Sequence, residues 1–245
     1  MNKDLEKRTI ETCFSPALFP FIQTSENFIV VIVDVLRATT AICTAFENGA
    51  IEIVPIAKIK DTLKYKNSGY MIAGERDGIV IEGADFGNSP FNFSKENVKD
   101  KKIVITTTNG TQAIEQASIS DTVVLGAFAN ISVLANWLYK QNKNVVIFCS
   151  GWKNKFNLED TIMAGALSEL LITKGFSTCF DSTYAAIDLW NIAKPNVLAY
   201  IEKASHRHRL KKIGLDDVLE YCFTQNTTNV IPFLRKHTLI NILKN

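Results

Sequence analysis

The run Phe28-Ile29-Val30-Val31-Ile32-Val33 is continuous, apolar and rich in β-branched residues. A strand of that kind is buried on both faces, which is the habit of parallel sheets covered by helices. Asp34 ends the run, and residues 39–48 read as a helix that Gly49 stops. The alternation recurs. Further strands are expected at about 9–14, 51–56, 70–73, 102–105, 121–125 and 145–149. Helices are expected at about 58–66, 112–117 and 158–173, with Gly175 ending the last. Asn130 can cap another helix, carrying Ile131, Leu134 and Leu138 at helical spacing. The pattern predicts an α/β fold with a largely parallel sheet. From about residue 180 the chain reads as mostly helical, with helices near 183–192 and 197–203 and a polar stretch at 225–229. Residues 1–245 are read as a single domain, with a sub-domain split left open.

Composition narrows the function classes. A net charge of +2 gives no bulk electrostatic case for nucleic acid or an anionic membrane as partner. No apolar run approaches the roughly 20 residues that span a bilayer. The opening MNKDLEKRTI is polar and mixed in charge, which predicts no secretion signal and a cytoplasmic protein. Cys13, Cys43, Cys149, Cys179 and Cys222 are odd in number and widely spaced, so reduced thiols are expected.

Ligands of open α/β sheets sit beyond the carboxyl ends of the strands. Four predicted strand ends carry polar residues that packing does not require. The first offers Asp34 and Arg37. The second is the glycine- and charge-rich stretch from Gly74 to Pro90, read as a loop, with Glu75, Arg76, Asp85, Asn88 and Ser89. The third is Thr106-Thr107-Thr108-Asn109-Gly110-Thr111, and the fourth offers Glu159 and Asp160. The Thr-rich turn runs into a helix start, where free N–H groups and the helix dipole favour an anion, and Gly110 permits close approach. Thr107, Thr108 and Thr111 add hydroxyl donors. Arg37 and Arg76 offer guanidinium forks for phosphate, sulfonate or carboxylate. Asp34, Glu75, Asp85, Glu159 and Asp160 gather acids beside an anion site, and a subset of them suits Mg²⁺. A helix start without ligand, surface ion pairs and first-turn acids are the plain structural alternatives. Lys155 stands where a cysteine-phosphatase loop starting at Cys149 needs arginine, which argues against covalent cysteine chemistry. Ser205-His206-Arg207-His208-Arg209 reads as a basic, solvated helix end, and the three histidines form no metal-ligand pattern.

Taken in order, Val33–Thr40, Gly74–Gly78, Asp85–Pro90, Thr106–Thr111 and Leu158–Thr161 resemble the 2-phosphosulfolactate phosphatases, a class of Mg²⁺-dependent acid phosphatases. Five blocks in one order across about 130 residues are specific where one would be weak. The resemblance implies a three-layer α/β/α fold and hydrolysis of (2R)-2-phospho-3-sulfolactate to (2R)-3-sulfolactate and phosphate, a step of coenzyme M synthesis. The chain departs from the family after Cys149. A small, Gly-rich, acidic turn is usual there, and this chain has Ser150-Gly151-Trp152-Lys153-Asn154-Lys155.

On this reading Arg37, Arg76, Asn88, Ser89, Thr107, Thr108, Asn109, Gly110 and Thr111 bind the phosphorylated substrate. Asp34, Glu159 and Asp160 are the catalytic candidates. Glu159 or Asp160 would position a water, and Asp34 is the suspect should a carboxylate attack phosphorus directly. Two alternatives stay open: a phosphatase for another phosphorylated 2-hydroxy acid, and a non-catalytic binder or sensor of such a metabolite. The reading allows a homodimer.

Overall fold

The computed structural model describes residues 8–22 and 28–244. The first seven residues, on which most of the reading of the N-terminus falls, lie outside the described residues, as does Gln23. Among the described residues there are ten strands: β1 (Ile10–Cys13), β2 (Phe28–Val33), β3 (Glu52–Pro55), β4 (Met71–Arg76), β5 (Ile79–Val80), β6 (Lys102–Thr106), β7 (Val123–Gly126), β8 (Asn144–Cys149), β9 (Pro232–Arg235) and β10 (Thr238–Asn241). They form one sheet in the order β1-β8-β2-β7-β9-β10-β3-β6-β4-β5.

The period of two along β2 builds the layers. Ile29, Val31 and Val33 face one core, with Leu134, Leu167 and Trp190. Those three come from the helices Ile131–Gln141, Leu158–Thr173 and Asp181–Ala193. Val30 and Ile32 face the other core, with Ile42 and Phe46 of the helix Ala38–Glu47 and Ala113 and Ala117 of the helix Gly110–Ala117. Helices therefore cover both faces, giving the three-layer α/β/α arrangement. The sheet is mostly parallel. β1, β8, β2 and β7 are parallel neighbours, and so are β3, β6 and β4.

The two parallel groups are joined by a hairpin that the sequence reading missed. After the helices Asp181–Ala193, Val197–Ile201, Ser205–Lys212 and Leu219–Phe223, the chain returns as the antiparallel pair β9–β10. β9 meets β7 at Phe233 and Val124, and β10 meets β3 at Leu239 and Ile53. The segment was hard to read because its strands are short, charged residues fill the turn, and Pro232 opens β9. Proline at the first residue of a strand removes no ladder donor that matters.

Two local readings are corrected. The stretch after Ala73 is not a loop at once: β4 runs on through Gly74, Glu75 and Arg76, and β5 returns beside it. Asp77 and Gly78 make the turn with φ of 54° and 86°, the Asp-Gly pairing that a two-residue hairpin favours. Asn130 does not cap its helix. Its Oδ1 accepts the Ala127 N–H, and its Nδ2 donates to the carbonyls of Leu125 and Val230. It thus ties the end of β7 to the segment leading into β9.

The helix that carries Glu159 and Asp160 is held close to its neighbour at Gly165. A Cβ there would stand 2.1 Å from the Ala186 carbonyl oxygen. Alanine in a helix interior normally gains about 1 kcal/mol over glycine, whereas overpacking costs about 1–3 kcal/mol. The obstacle is backbone, so packing wins. Gly165→Ala is expected to lower stability by about 1–2 kcal/mol in urea unfolding. A stabilised variant would mean that the two helices separate freely.

Candidate active site

Asp160 organises the strand ends. Its carboxylate is fully buried in the first turn of the helix Leu158–Thr173. Oδ1 accepts the Val35 N–H at 2.8 Å. Oδ2 accepts Asn157 Nδ2 at 2.8 Å, with Ser150 Oγ and the Gly151 N–H each at 3.1 Å. One side chain so joins the residues following β2 and β8. Glu159, also buried, points elsewhere. Its Oε1 meets His206 Nδ1 at 2.7 Å and Asn157 Nδ2 at 3.1 Å, while Oε2 has no partner among the described residues.

A second interlock fixes the Thr-rich turn. Glu75 accepts the Thr108 N–H at 2.8 Å, the Thr108 hydroxyl at 3.0 Å and the Gly78 N–H at 2.7 Å. Thr107 and Thr111 bind one another: each hydroxyl accepts the other residue's N–H, and the Thr111 hydroxyl donates to the Thr107 carbonyl. The three hydroxyls expected to face a ligand are therefore engaged in building the turn. Gly110 explains itself by approach. A Cβ would stand 2.7 Å from Asp34 Oδ2 and 2.6 Å from Ala38 Cβ.

A cavity of about 420 Å³ opens at these strand ends. Asp34, Arg37, Glu75, Asn88 and Asn109 line it, as expected from sequence. Arg37 is 4% exposed. Its Nη2 donates to Asn88 Oδ1 at 2.9 Å, and its buried Nη1 has no partner among the described residues. Asn109 Oδ1 accepts the Lys153 N–H at 2.9 Å.

Other expected residues stand away from the cavity. Arg76 follows Glu75 on a strand, so it points to the opposite face. There its guanidinium donates to the carbonyls of Glu75 and Ala57 and to the Thr106 hydroxyl. Asp85 is exposed and accepts the Ile72 N–H at 2.7 Å, near the start of β4. Ser89 precedes the turn Pro90–Phe93 and does not line the cavity. Cys149 is buried, and burial pushes its thiol well above the ordinary range, so it is no nucleophile. All five cysteines are free thiols.

The remaining wall includes Trp152 and Lys153 of the turn that the sequence marked as unusual, whereas His206 and Arg209 were not read as site residues. Trp152, Lys153, His206 and Arg209 line the cavity. The basic segment around His206 is not a solvated helix end. His206, Arg207 and Leu210 are buried, and Arg207 pairs with Glu202 and Asp216. The available signal was His206 and Leu210 at i and i+4, which places an apolar face on that helix.

Burial and the nearby Glu75 push the Asp34 carboxyl up to about 6, with burial the larger cause; His206 and the Ala38 N–H oppose them. Burial, then Asp34 and Glu159, push Asp160 up as well, against its own hydrogen bonds. Among the described residues no three His, Cys, Asp or Glu side chains group as a metal cage. A hard cation therefore has to be tested on the acids facing the cavity. Glu75 already takes three donors. Asp34 Oδ1 takes one long bond, 3.3 Å from the Ala38 N–H, and so keeps acceptor capacity. Mg²⁺ needs only one or two carboxylates when substrate oxygens and waters complete its shell, so the residues present fit it.

The fold and the cavity define a class: an α/β protein with a polar cavity at the ends of parallel strands, lined by arginine, asparagine and carboxylates. Within that class the chain belongs to the 2-phosphosulfolactate phosphatase family, a family of phosphatases, whose profile matches residues 13–237. It is 34% identical over 210 residues to a probable 2-phosphosulfolactate phosphatase of Caldanaerobacter subterraneus subsp. tengcongensis, covering 84% of this chain and 87% of the relative. A probable 2-phosphosulfolactate phosphatase of Thermotoga maritima is 36% identical over 205 residues, covering 83% and 88%. Another, of Carboxydothermus hydrogenoformans, is 36% identical over 213 residues, covering 86% and 88%. No helix among the described residues is long and apolar enough to cross a membrane.

The raised Asp34 carboxyl has a consequence for stability. An unfolded aspartate titrates near its ordinary 3.8, so between about 4 and 6 the folded state holds the extra proton. That group's contribution is present at low pH and is lost as pH rises through 6. In metal-free protein, Asp34→Asn should therefore be more stable than wild type at pH 7, by on the order of 3 kcal/mol. The gap should close toward pH 4. Urea unfolding at both values, with EDTA, checks it, and a pH-independent gap would count against the assignment.

Proposed function

We propose that this chain is a Mg²⁺-dependent phosphatase that hydrolyses (2R)-2-phospho-3-sulfolactate to (2R)-3-sulfolactate and phosphate. Arg37 carries the reading. A guanidinium buried with a free Nη1 costs several kcal/mol unless an anion meets it, and phosphate oxygens are its natural complement. Asn88 holds the guanidinium by its other nitrogen. Gly110 lets the start of its helix reach Asp34, where the dipole favours an anion. Thr107, Thr108 and Thr111 serve the site by shaping that turn.

Asp34, with Glu75 beside it, would hold the metal ion. Bound there, Mg²⁺ would neutralise charge on the phosphoryl group. Glu159 works through His206. Glu159 Oε1 engages His206 Nδ1, which leaves the other ring nitrogen for a proton transfer at the cavity, and we assign to it the proton that the departing alkoxide takes as water attacks phosphorus. Asp160 is fully buried and does not line the cavity, and its part is to fix the strand ends.

Phosphate release from phosphosulfolactate and phospholactate, with Mg²⁺ and with EDTA, tests the reading. Release from phosphosulfolactate that EDTA abolishes is the expected result. Release from phospholactate alone would move the substrate to another hydroxy acid, and binding without any release would favour a sensor. Arg37→Met should cost on the order of 10³-fold in kcat/KM, the scale for a guanidinium that meets a transferring phosphoryl group. Near-wild-type turnover in Asp34→Asn would remove Asp34 from the chemistry.

A further inference from the structure

We infer that Arg209, stacked on Trp152, binds the second acid group of the substrate, at a subsite separate from the phosphate position at Arg37. The inference deepens the proposed function and rests on it. Arg209 Cζ lies 4.0 Å from the Trp152 ring centroid. An aromatic face fixes the plane of a guanidinium and leaves its edges free to donate. Nη1 donates to Ser205 Oγ at 3.3 Å, whereas Nε and Nη2 are buried with no partner among the described residues. Those two nitrogens form one edge of the guanidinium, the fork that meets two oxygens of a carboxylate or sulfonate.

The platform beneath is built in. Trp152 and Lys155 exchange backbone hydrogen bonds at 2.9 and 3.0 Å. Gly151 allows the turn, with a φ of 60° and no room for a Cβ, which would stand 2.2 Å from the Lys155 carbonyl oxygen. The Gly151 N–H is anchored on Asp160, and the indole leans on His206 at 5.2 Å between centroids.

The lysines of the cavity wall are placed differently. Lys153 is paired with Asp77 at 2.8 Å and is largely exposed, and Lys212 is exposed. Arg209 makes no ion pair among the described residues. Burial holds its pKa below that of a free guanidinium, with Glu159 and Asp77 acting the other way. Arg209 lines the same cavity as Arg37. A ligand with a phosphate ester and a further oxyacid group satisfies both.

The test compares kcat/KM for phosphosulfolactate, phospholactate and isopropyl phosphate, the last carrying no second acid. Arg209→Met should lower the value for phosphosulfolactate roughly 10- to 100-fold, mainly through KM, the scale of a lost charge-assisted pair. Its preference over isopropyl phosphate should fall at least tenfold. Arg209→Lys keeps the charge and loses the fork, so it should recover only part, and it carries the comparison should the methionine variant fail to fold. A loss shared with phospholactate assigns the edge to the carboxylate, and a loss confined to phosphosulfolactate assigns it to the sulfonate. Equal losses on all three esters, or an unchanged preference, would overturn the inference. Calorimetric binding of 3-sulfolactate keeps this separate from the reaction itself. If wild type hydrolyses none of the esters, weaker binding in the variants still supports the subsite, and equal binding still overturns it.

Discussion

The Asp160 carboxylate sits fully buried at the first turn of its helix and takes donors from Val35, Ser150, Gly151 and Asn157. Burying a carboxyl group is costly unless donors meet its oxygens. Directed hydrogen bonds and the positive end of a helix offset much of that here. The arrangement is intolerant, since removing the acid would strand several buried donors at once. What it secures is relative position. Val35 stands two residues before Arg37, and Gly151 stands immediately before Trp152. Both arginine-bearing walls of the cavity are thereby referred to one side chain.

The site is also defined by which groups are left over. Glu75, Thr107, Thr108 and Thr111 spend their hydrogen-bonding capacity on one another and on the Asp77–Gly78 turn. The Arg76 fork is consumed on the far face of β4. Among the described residues, buried polar atoms without partners occur on Thr12, Asn157, Glu159, Ser168, Thr228 and Asn241, and on Arg37 and Arg209. Only the two arginines of that set line the cavity, and a buried guanidinium nitrogen left without an acceptor is costly, so these two are the ones that describe what enters.

Much of this was legible in the sequence. The run from Phe28 to Val33 announced a doubly buried strand, and the rule that ligands sit at the carboxyl ends of strands singled out Asp34, Arg37, Glu75 and Asn109, although the antiparallel pairings β7–β9, β9–β10 and β10–β3 make the two parallel groups run in opposite senses. What failed has local causes. Ending β4 at Ala73 hid the period of two that separates Glu75 from Arg76. Residue type marked the threonines as ligand donors, but only the folded turn shows their hydroxyls facing inward. The wall of His206 and Arg209 depends on a helix whose charge suggested solvent, and nothing in the spacing tells that Trp152, about 55 residues earlier, lies beneath it.

The hairpin β9–β10 stands between β7 and β3, in the middle of the sheet, although it is made after every other strand. During synthesis the two parallel groups emerge with unpaired inner edges, and nothing can join them until residues 232–241 arrive. Those pairings span long stretches of chain, and closing such loops makes assembly slow. Open edges are where a nascent chain is most exposed to pairing with the wrong partner. The hairpin thus acts as a keystone set last between the two groups whose strands carry the cavity residues.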